Sequence, residues 1–237
     1  MKFLFILFVF FISSSVLKAQ NLQLHYDIGK DRKYLTSTVE MFKPDKYGRT
    51  FFFIDMDYGV GDIKGVSLGY FEITRGLKFW NSPFELHFEY NGGFGQAKSM
   101  DEEGVYHAYQ INDAWLFGGH YTWNTNDFSK VFTLQAMYKN IRGKNAMSFQ
   151  LTGVWTIQML KNKLTFTGFA DFWREDNNYF KNAKPGTETD FVFLSEPQLW
   201  YNFNKNFSLG SEVEVASNFA LHKGMKACPT IAAKWTF

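Results

Sequence analysis

The sequence lacks long hydrophobic runs. After residue 20 the longest unbroken apolar stretches have four members, as at 51–54 and 191–194, whereas a membrane-spanning helix needs about 20 apolar residues. A helical membrane protein with several spans is therefore excluded. The 237 residues include one cysteine, Cys228, so no internal disulfide can form, and no Cys/His spacing predicts a zinc site. We expect neither a metal nor another cofactor.

Aromatic residues, by contrast, are abundant. They make up 20% of the chain, although the mean hydropathy is only −0.25. Disordered segments contain few aromatic residues, so a disordered chain is also excluded. The aromatic side chains must be arranged in a pattern that an average over the whole chain does not detect.

The first nineteen residues predict a secretory signal peptide. Lys2 precedes ten apolar residues, 3–12, and small and polar residues then lead to Ala19. We predict cleavage after Ala19 and a mature domain spanning 20–237. Loss of Lys2 and Lys18 reduces the 25 basic residues to the number of the 23 acidic ones. A neutral mature chain argues against a nucleic-acid partner.

The rest of the chain alternates between apolar and polar residues. In 84–90, Phe84, Leu86, Phe88 and Tyr90 alternate with Glu and His, and successive side chains of a strand point to opposite faces. The pattern predicts about twelve strands, several of them longer than the ~9–11 residues that cross a bilayer at a tilt. They are placed at 22–28, 34–43, 50–58, 65–79, 83–91, 105–122, 130–139, 146–159, 164–174, 189–203, 207–218 and 226–237.

The links between these strands are of two kinds. Every second link is short and polar, at 44–48, 81–83, 124–129, 161–163 and 204–206, whereas the longest links, 92–104 and 175–188, fall between the other pairs. Tight turns at one rim and long loops at the other are typical of outer-membrane barrels. We therefore predict an all-β, antiparallel, up-and-down transmembrane β-barrel. A soluble lipocalin-like barrel or a β-sandwich, with the apolar face inside, is the alternative.

In a membrane barrel the apolar face of each strand contacts lipid and the polar face lines the interior. Rings near the strand ends would form girdles at the two membrane interfaces, and we assign to them Tyr26, Tyr58, Trp80, Tyr90, Tyr121, Trp123, Tyr138, Trp200, Tyr201 and Trp235. The polar face would line a lumen and a solute path. Its predicted residues are Asp55, Asp57, Glu72, Glu85, His87, Glu89, Asp171, Trp173, Glu196, Gln198, Glu212 and Glu214.

This predicted lumen is acidic. Rings of Asp or Glu attract cations, so it would favour cations or neutral hydrogen-bonding solutes. The inward rings of Phe51, Phe53, Phe169 and Trp173 could stack on a planar base or could simply fill space. In the alternative interpretation, the acids pair with Arg75, Arg174, Lys139 and Lys234 and the barrel is plugged.

Two places strain the predicted register, and two prolines suggest bulges. Arg75 falls on the lipid side unless a bulge at Gly76 or a shallow position removes the conflict. The polar residues Gln110, Asn112 and Asp113 indicate a break, or an extension above the membrane, within 105–122. Pro197 and Pro229 cannot donate to a ladder and suggest bulges.

Catalytic signatures are missing. The five histidines lie at 25, 87, 107, 120 and 222, and none accompanies a nucleophile motif such as GxSxG. His87, between Glu85 and Glu89, is the best candidate for a base or metal ligand, but a hydrogen-bonding role in the lumen is the simpler interpretation. We expect that the chain is not an enzyme, and a membrane-embedded hydrolase is the least favoured hypothesis.

The last residues, IAAKWTF, alternate and end on Phe237. With Trp235, this end resembles the signal by which the barrel-assembly machinery recognises outer-membrane barrels. FELHFEYNGGFG from Phe84, NDAWLFGGHYTW from Asn112, LTFTGFADFWRED from Leu164, SEPQLWYNF from Ser195 and SLGSEVEVASNF from Ser208 resemble an uncharacterised family of Bacteroidetes outer-membrane proteins. That family is itself similar to the nucleoside-specific channel-forming Tsx family.

The resemblance implies a monomeric, twelve-stranded barrel among the lipids of the bacterial outer membrane. It also implies passage of nucleosides or other small polar solutes, although no Tsx contact residue can be aligned with a position of this chain. A closed structural barrel, whose long loops at 92–104 and 175–188 bind a partner, is the second hypothesis.

Overall fold

The computed structural model describes residues 20–30, 32–61, 63–99, 103–144, 148–177, 188–220 and 222–237. The predicted signal peptide, 1–19, and most of the 175–188 link lie outside the described residues. In the described ranges no helix has the length and apolar character needed to cross a membrane.

The described chain forms thirteen strands in one antiparallel sheet, and the sheet closes because β1 pairs with β13. The predicted antiparallel up-and-down β-barrel is thus confirmed. The strands are β1 (Gln20–Asp27), β2 (Leu35–Asp45), β3 (Gly48–Tyr58), β4 (Val66–Leu77), β5 (Phe84–Lys98), β6 (Tyr106–Asn124), β7 (Lys130–Ile141), β8 (Ser148–Met159), β9 (Leu164–Asn177), β10 (Glu188–Ser195), β11 (Gln198–Asn202), β12 (Phe207–Ser217) and β13 (Met225–Thr236).

β10 and β11 cross the sheet together as one interrupted strand, because both pair with β9 and with β12. The barrel therefore has twelve strand positions. The register is unbroken across the interruption, so the bulge predicted at Pro197 is wrong. Gly168 lies opposite Pro197 and leaves room for it, since a Cβ on Gly168 would come within 2.5 Å of the Glu196 carbonyl oxygen.

Pro229 causes no bulge either. β12 and β13 keep one register on both sides of it, with Gly210 opposite Ala232 and Val213 opposite Pro229. The Pro229 carbonyl accepts a hydrogen bond of 2.9 Å from the Ile28 amide, so the residue remains joined to the chain beside it although it donates nothing.

The two rims differ as predicted. Short links at 46–47, 125–129, 160–163 and 203–206, with 78–83, form what we call the tight-turn rim, and the opposite loop rim carries the longer links. The start of β1 and the end of β13 meet at the tight-turn rim, where the Phe237 amide donates to the Gln20 carbonyl at 3.1 Å. The predicted loop at 92–104 is wrong, because β5 continues to Lys98 and β6 begins at Tyr106.

β6 extends above its neighbour β7. The register changes between the pairs Asn91–Ala114 and Gly93–Ile111, which places a β-bulge at Asn112 and Asp113. β7 ends opposite Ala114, so the first part of β6 pairs with β5 alone and forms a projecting hairpin. The bulge and the hairpin explain why polar residues occur in the middle of this strand.

The outer face of the barrel is apolar and aromatic. Large side chains such as Leu134, Leu151, Phe117 and Ile231 are exposed there, as expected of a lipid-facing surface. Most of the predicted girdle rings are also exposed, but Trp200 is 0% exposed and lies inside the barrel. Its assignment to the girdle is wrong, because it shares the inward phase of Gln198.

Arg75 does face outward, and its shallow position resolves the conflict. Its guanidinium donates to both carboxylate oxygens of Asp45, at 2.7 and 3.0 Å, and to the Thr50 hydroxyl at 3.0 Å. Asp45 ends β2 at the tight-turn rim, where a charge on the lipid side costs about 0–1 kcal/mol rather than the midplane cost.

Candidate functional site

The inward face carries all twelve residues that the alternation assigned to it. Glu85, His87, Glu89 and Trp173 belong to a packed side formed mainly by β5–β8, where most inward side chains are buried. The acidic side is formed by β3, β4 and β9–β12, and its carboxylate side chains are partly exposed. It contains Asp55, Asp57, Glu72, Asp171, Glu196, Gln198, Glu212 and Glu214.

A chain of hydrogen bonds joins two histidines on the packed side. His87 Nδ1 lies 3.2 Å from His120 Nδ1, His87 Nε2 lies 3.0 Å from Glu89, and His120 Nε2 lies 3.0 Å from Glu85. Arg49 Nε donates to the Glu85 carboxylate at 3.2 Å. Both imidazoles are only 3% exposed, so these partners replace water.

The chain of bonds also fixes a proton count. Its three links each need one proton, but two neutral imidazoles and two carboxylates supply only two. A third proton, on an imidazole or on a carboxyl group, satisfies all three links. Together with Arg49 this network has no net charge, so burying it costs less free energy than burying a net charge would. The partners of His87 are His120 and Glu89, and neither is the Ser or Cys that the hydrolase hypothesis requires as a nucleophile.

Lys139 and Trp173 fill the lumen closer to the loop rim. Lys139 Nζ donates to Gln150 at 2.7 Å and lies 4.1 Å from the Trp173 ring centroid. The indole N–H of Trp173 donates to Glu175 at 2.9 Å. An apolar cluster packs beside this ring, and it consists of Ala114, Leu116, Met137, Ile141 and Val192, with Leu194 and Phe219 at its edge.

A second network crosses β1, β11, β12 and β13. Lys234 Nζ lies 4.1 Å from the Trp200 ring, whose N–H donates to Gln198 at 2.9 Å. Gln198 in turn donates to Glu212 at 2.6 Å, and His25 Nδ1 lies 3.9 Å from the same carboxylate. Trp200 thus helps to position the Glu212 carboxylate of the acidic side through Gln198.

The remaining carboxylates of the acidic side have only neutral partners. Hydroxyl groups donate to four of them: Thr36 to Asp57 at 2.7 Å, Tyr70 to Glu72 at 2.7 Å, Thr38 to Asp55, and Thr152 to Asp171. No hydrogen-bond donor among the described residues reaches the Glu196 carboxylate. These five residues, 55, 57, 72, 171 and 196, are called the unpaired carboxylates below.

The basic residues proposed to plug the barrel form no close ion pair with these acids in the described ranges, although the charge of Lys139 acts on Asp171. Arg174 is exposed on the outer face, and Arg75 pairs with Asp45 at the rim. Among the described residues, Lys139 and Lys234 form no ion pair with a carboxylate within 4.0 Å, since they contact Trp173 and Trp200 instead. The close ion pairs from which the plugging interpretation was drawn are therefore not formed among the described residues.

Two arginines that the sequence reasoning missed form the inward ion pairs. Arg49 pairs with Glu85, and Arg32, in the link after β1, donates two hydrogen bonds to Glu214 at 2.8 and 2.9 Å. Burial alone lowers the pKa of the Arg32 guanidinium, but the hydrogen bonds and charge of Glu214 outweigh burial and raise that pKa above its usual value. The inward orientation of Arg49 could have been predicted from the sequence, because Arg49 alternates in phase with Phe51, Phe53 and Asp55.

Within the described part of the chain, no group of three or more His, Cys, Asp or Glu is arranged to hold a metal ion. Cys228 is buried. The inward face therefore offers carboxylates, hydroxyl groups and rings as its chemistry.

The closed antiparallel sheet, its two unlike rims and its polar interior define a porin-like outer-membrane barrel fold. A family model described as a domain of unknown function, DUF5020, matches residues 19–237, and the chain belongs to that family. No curated protein matches the chain in sequence.

Solved structures share the fold at low identity. The NanC porin is 10% identical, with a TM-score of 0.56 over 92% of this chain and 100% of that one. The KdgM porin in complex with disordered oligogalacturonate is 12% identical, with a TM-score of 0.48 over 92% and 99%. The Acinetobacter baumannii outer membrane protein Omp33 is 14% identical, with a TM-score of 0.44 over 93% and 99%. The first of these supports the porin-like fold.

Proposed function

We propose that the protein is a monomeric outer-membrane channel that passes small cations or neutral polar solutes along its acidic side. The observation that carries this proposal is the set of unpaired carboxylates, which are partly exposed inside the barrel. Carboxylate rings attract cations, and hydroxyl groups beside them can bind a sugar or a base. The packed side narrows the path, so we expect a selective channel rather than a general pore.

The finer proposal is a nucleoside-like solute, as the resemblance to the Tsx family implies. Phe51 and Phe53 lie 6.1 Å apart between ring centroids, and Tyr70 lies 6.0 Å from Phe53. These rings stand beside Asp55 and Glu72 on β3 and β4. Aromatic rings stack on bases, and adjacent carboxylates would accept hydrogen bonds from a ribose.

Planar-bilayer recording tests the channel. We expect the folded protein to conduct, with a reversal potential in a KCl gradient that shows preference for K⁺ over Cl⁻. Glu72→Gln and Glu196→Gln should each reduce that preference, because each removes a lumen charge. Asp127→Asn, in a tight turn outside the lumen, is the matched control. A folded barrel, shown by a gel shift on heating, that does not conduct would overturn the proposal.

Nucleosides test the finer proposal in the same recordings. Uridine or adenosine in the millimolar range should reduce the current, and Phe53→Ala should weaken that block without abolishing conductance. If the current is insensitive to nucleosides but remains selective for cations, the channel stands and the nucleoside proposal fails.

A second candidate function is a closed barrel that binds a partner through the projecting hairpin of β5 and β6. Its specific support is the exposure of the rings of Phe94 and Tyr109 on that hairpin. A photoreactive residue at position 109 should then crosslink one partner on intact cells, and Phe94→Ser should abolish the crosslink while the barrel remains folded. The absence of any crosslink would reject this function.

The remaining parts of the proposal concern assembly and chemistry. We propose that the barrel-assembly machinery recognises Trp235 and Phe237 and that the folded protein is not an enzyme. His87→Ala should leave the lipid composition of the cells unchanged. A change in acyl-chain content with that variant, but not with His107→Ala, would instead support the hydrolase.

A further inference from the structure

A groove of about 330 Å³ lies on the outer face of β6, β7 and β8, next to the tight-turn rim. Three rings stand side by side across these strands, because Trp123 pairs with Phe132 and Phe132 pairs with Trp155. The other lining residues are Asn124, Thr125, Lys130, Val131 and Ile157. We call this feature the outer groove. Its volume, about eleven times the ~30 Å³ that one water molecule occupies in the liquid, accommodates part of an acyl chain.

One end of the outer groove is cationic. Lys130 has the outward phase of Phe132 and lies opposite Ile157, so its ammonium group stands at the rim beneath the rings. None of the ion pairs found among the described residues involves Lys130. The carboxylate of Asp127 in the adjoining turn is occupied by the Thr125 hydroxyl, at 2.7 Å, and the Ser129 amide, at 3.0 Å.

The apolar wall stands above this charge. Trp155 is two residues from Ile157 along β8, and Ile157 lies opposite Lys130, so Trp155 lies roughly 7 Å above the level of Lys130 at ~3.3 Å per residue. The outer groove therefore runs from a cation at the rim to aromatic rings deeper in the membrane.

We propose that the outer groove binds one acidic glycerophospholipid of the leaflet at the tight-turn rim. Its phosphate would lie at Lys130, and its acyl chain would lie along Phe132 and the two indoles. The order of charge and apolar surface along the groove matches the order of phosphate and acyl chain in such a lipid. A second copy of the barrel would bring another Lys130 towards the same groove in a two-fold dimer, which the charge disfavours.

Native mass spectrometry of the folded protein, released from vesicles with equal amounts of phosphatidylglycerol and phosphatidylcholine, tests the proposal. We expect one retained phosphatidylglycerol per barrel, with retention about fivefold lower for Lys130→Gln and lower still for Lys130→Glu, because each lysine near the surface contributes to anionic-lipid binding. Phe132→Ala should reduce the retention of both lipids. Lys163→Glu, an exposed lysine on the same rim, is the matched control.

Equal retention of the two lipids, or retention that is unchanged in Lys130→Glu, would overturn the proposal. A concentration-dependent dimer that Lys130→Glu stabilises would assign the groove to a second copy instead. Conductance is measured separately and should not depend on Lys130, so failure of the lipid site and failure of the channel are distinguishable.

Discussion

The packed side and the acidic side of the barrel interior differ in the partners that they offer to polar groups. On the packed side each buried group meets a partner of complementary charge or hydrogen-bonding type, as Lys139 meets Gln150 and as His87 meets Glu89. On the acidic side the carboxylates meet hydroxyl groups, and Glu196 meets no donor among the described residues. The same alternation in sequence therefore produces two different interiors.

The difference shows where stability and solute chemistry reside. A buried charge without a partner costs several kcal/mol, so the unpaired carboxylates are sustainable only where water or a solute reaches them. Their partial exposure meets that condition. We infer that the packed side stabilises the barrel and that the acidic side is reserved for the solute, and the predictions below test that division.

The largest expected effect is the loss of His120. His120→Ala leaves His87, Glu85 and Arg49 buried with broken hydrogen bonds, and breaking a buried charged network by removing one partner costs about 3–5 kcal/mol. Urea unfolding of the protein in lipid vesicles should show this loss of free energy of unfolding. His107→Ala, an exposed histidine outside the network, should change it by less than about 0.5 kcal/mol. Equal effects for both variants would remove the stabilising role from the packed side.

Most of the fold follows from the sequence. The period-two alternation predicts the strands to within a few residues, and the turn chemistry predicts which rim is tight. The β5–β6 hairpin was misjudged because Gly92, Gly93 and Gly95 suggest a loop. In the barrel these glycines lie within a strand. Gly93 has no room for a side chain, since a Cβ there would lie 2.2 Å from the Gly69 carbonyl oxygen on β4.

The sequence predicts which side chains face the interior, but it does not predict which of them contact one another. The phase of each residue shows that Glu85 and Glu72 point inward, yet only the register between distant strands shows that Arg49 reaches Glu85 and that no arginine reaches Glu72. Trp200 was misassigned for a similar reason, because an aromatic residue near a strand end fits a girdle as well as a core. Pairing across the barrel depends on tilt and stagger, which local sequence does not encode.

An intermediate effect is expected at the junction of β9 and β10–β11. Gly168 has a φ of +150° and faces Pro197, so Gly168→Ala introduces a methyl group against backbone and should cost about 1–3 kcal/mol. At Gly153, a Cβ would meet only the Phe132 ring, at 3.8 Å, so Gly153→Ala should be close to neutral. Unfolding midpoints in urea compare the two. If Gly168→Ala is also neutral, the backbone beside Glu196 is not fixed and the acidic side is not preorganised.

The smallest expected effect on stability comes from the unpaired carboxylates themselves. Asp171→Asn and Glu196→Gln keep shape while removing charge. Among the described residues no cation forms an ion pair within 4.0 Å of either carboxylate, although the charge of Lys139 acts on Asp171. The free energy of unfolding should therefore change by less than about 1 kcal/mol, or increase, because like charges no longer face one another. The same variants should lower the preference for K⁺ in bilayers. A loss of about 3 kcal/mol or more would show that these carboxylates are held by partners, and the acidic side would then be a second packed side rather than a solute path.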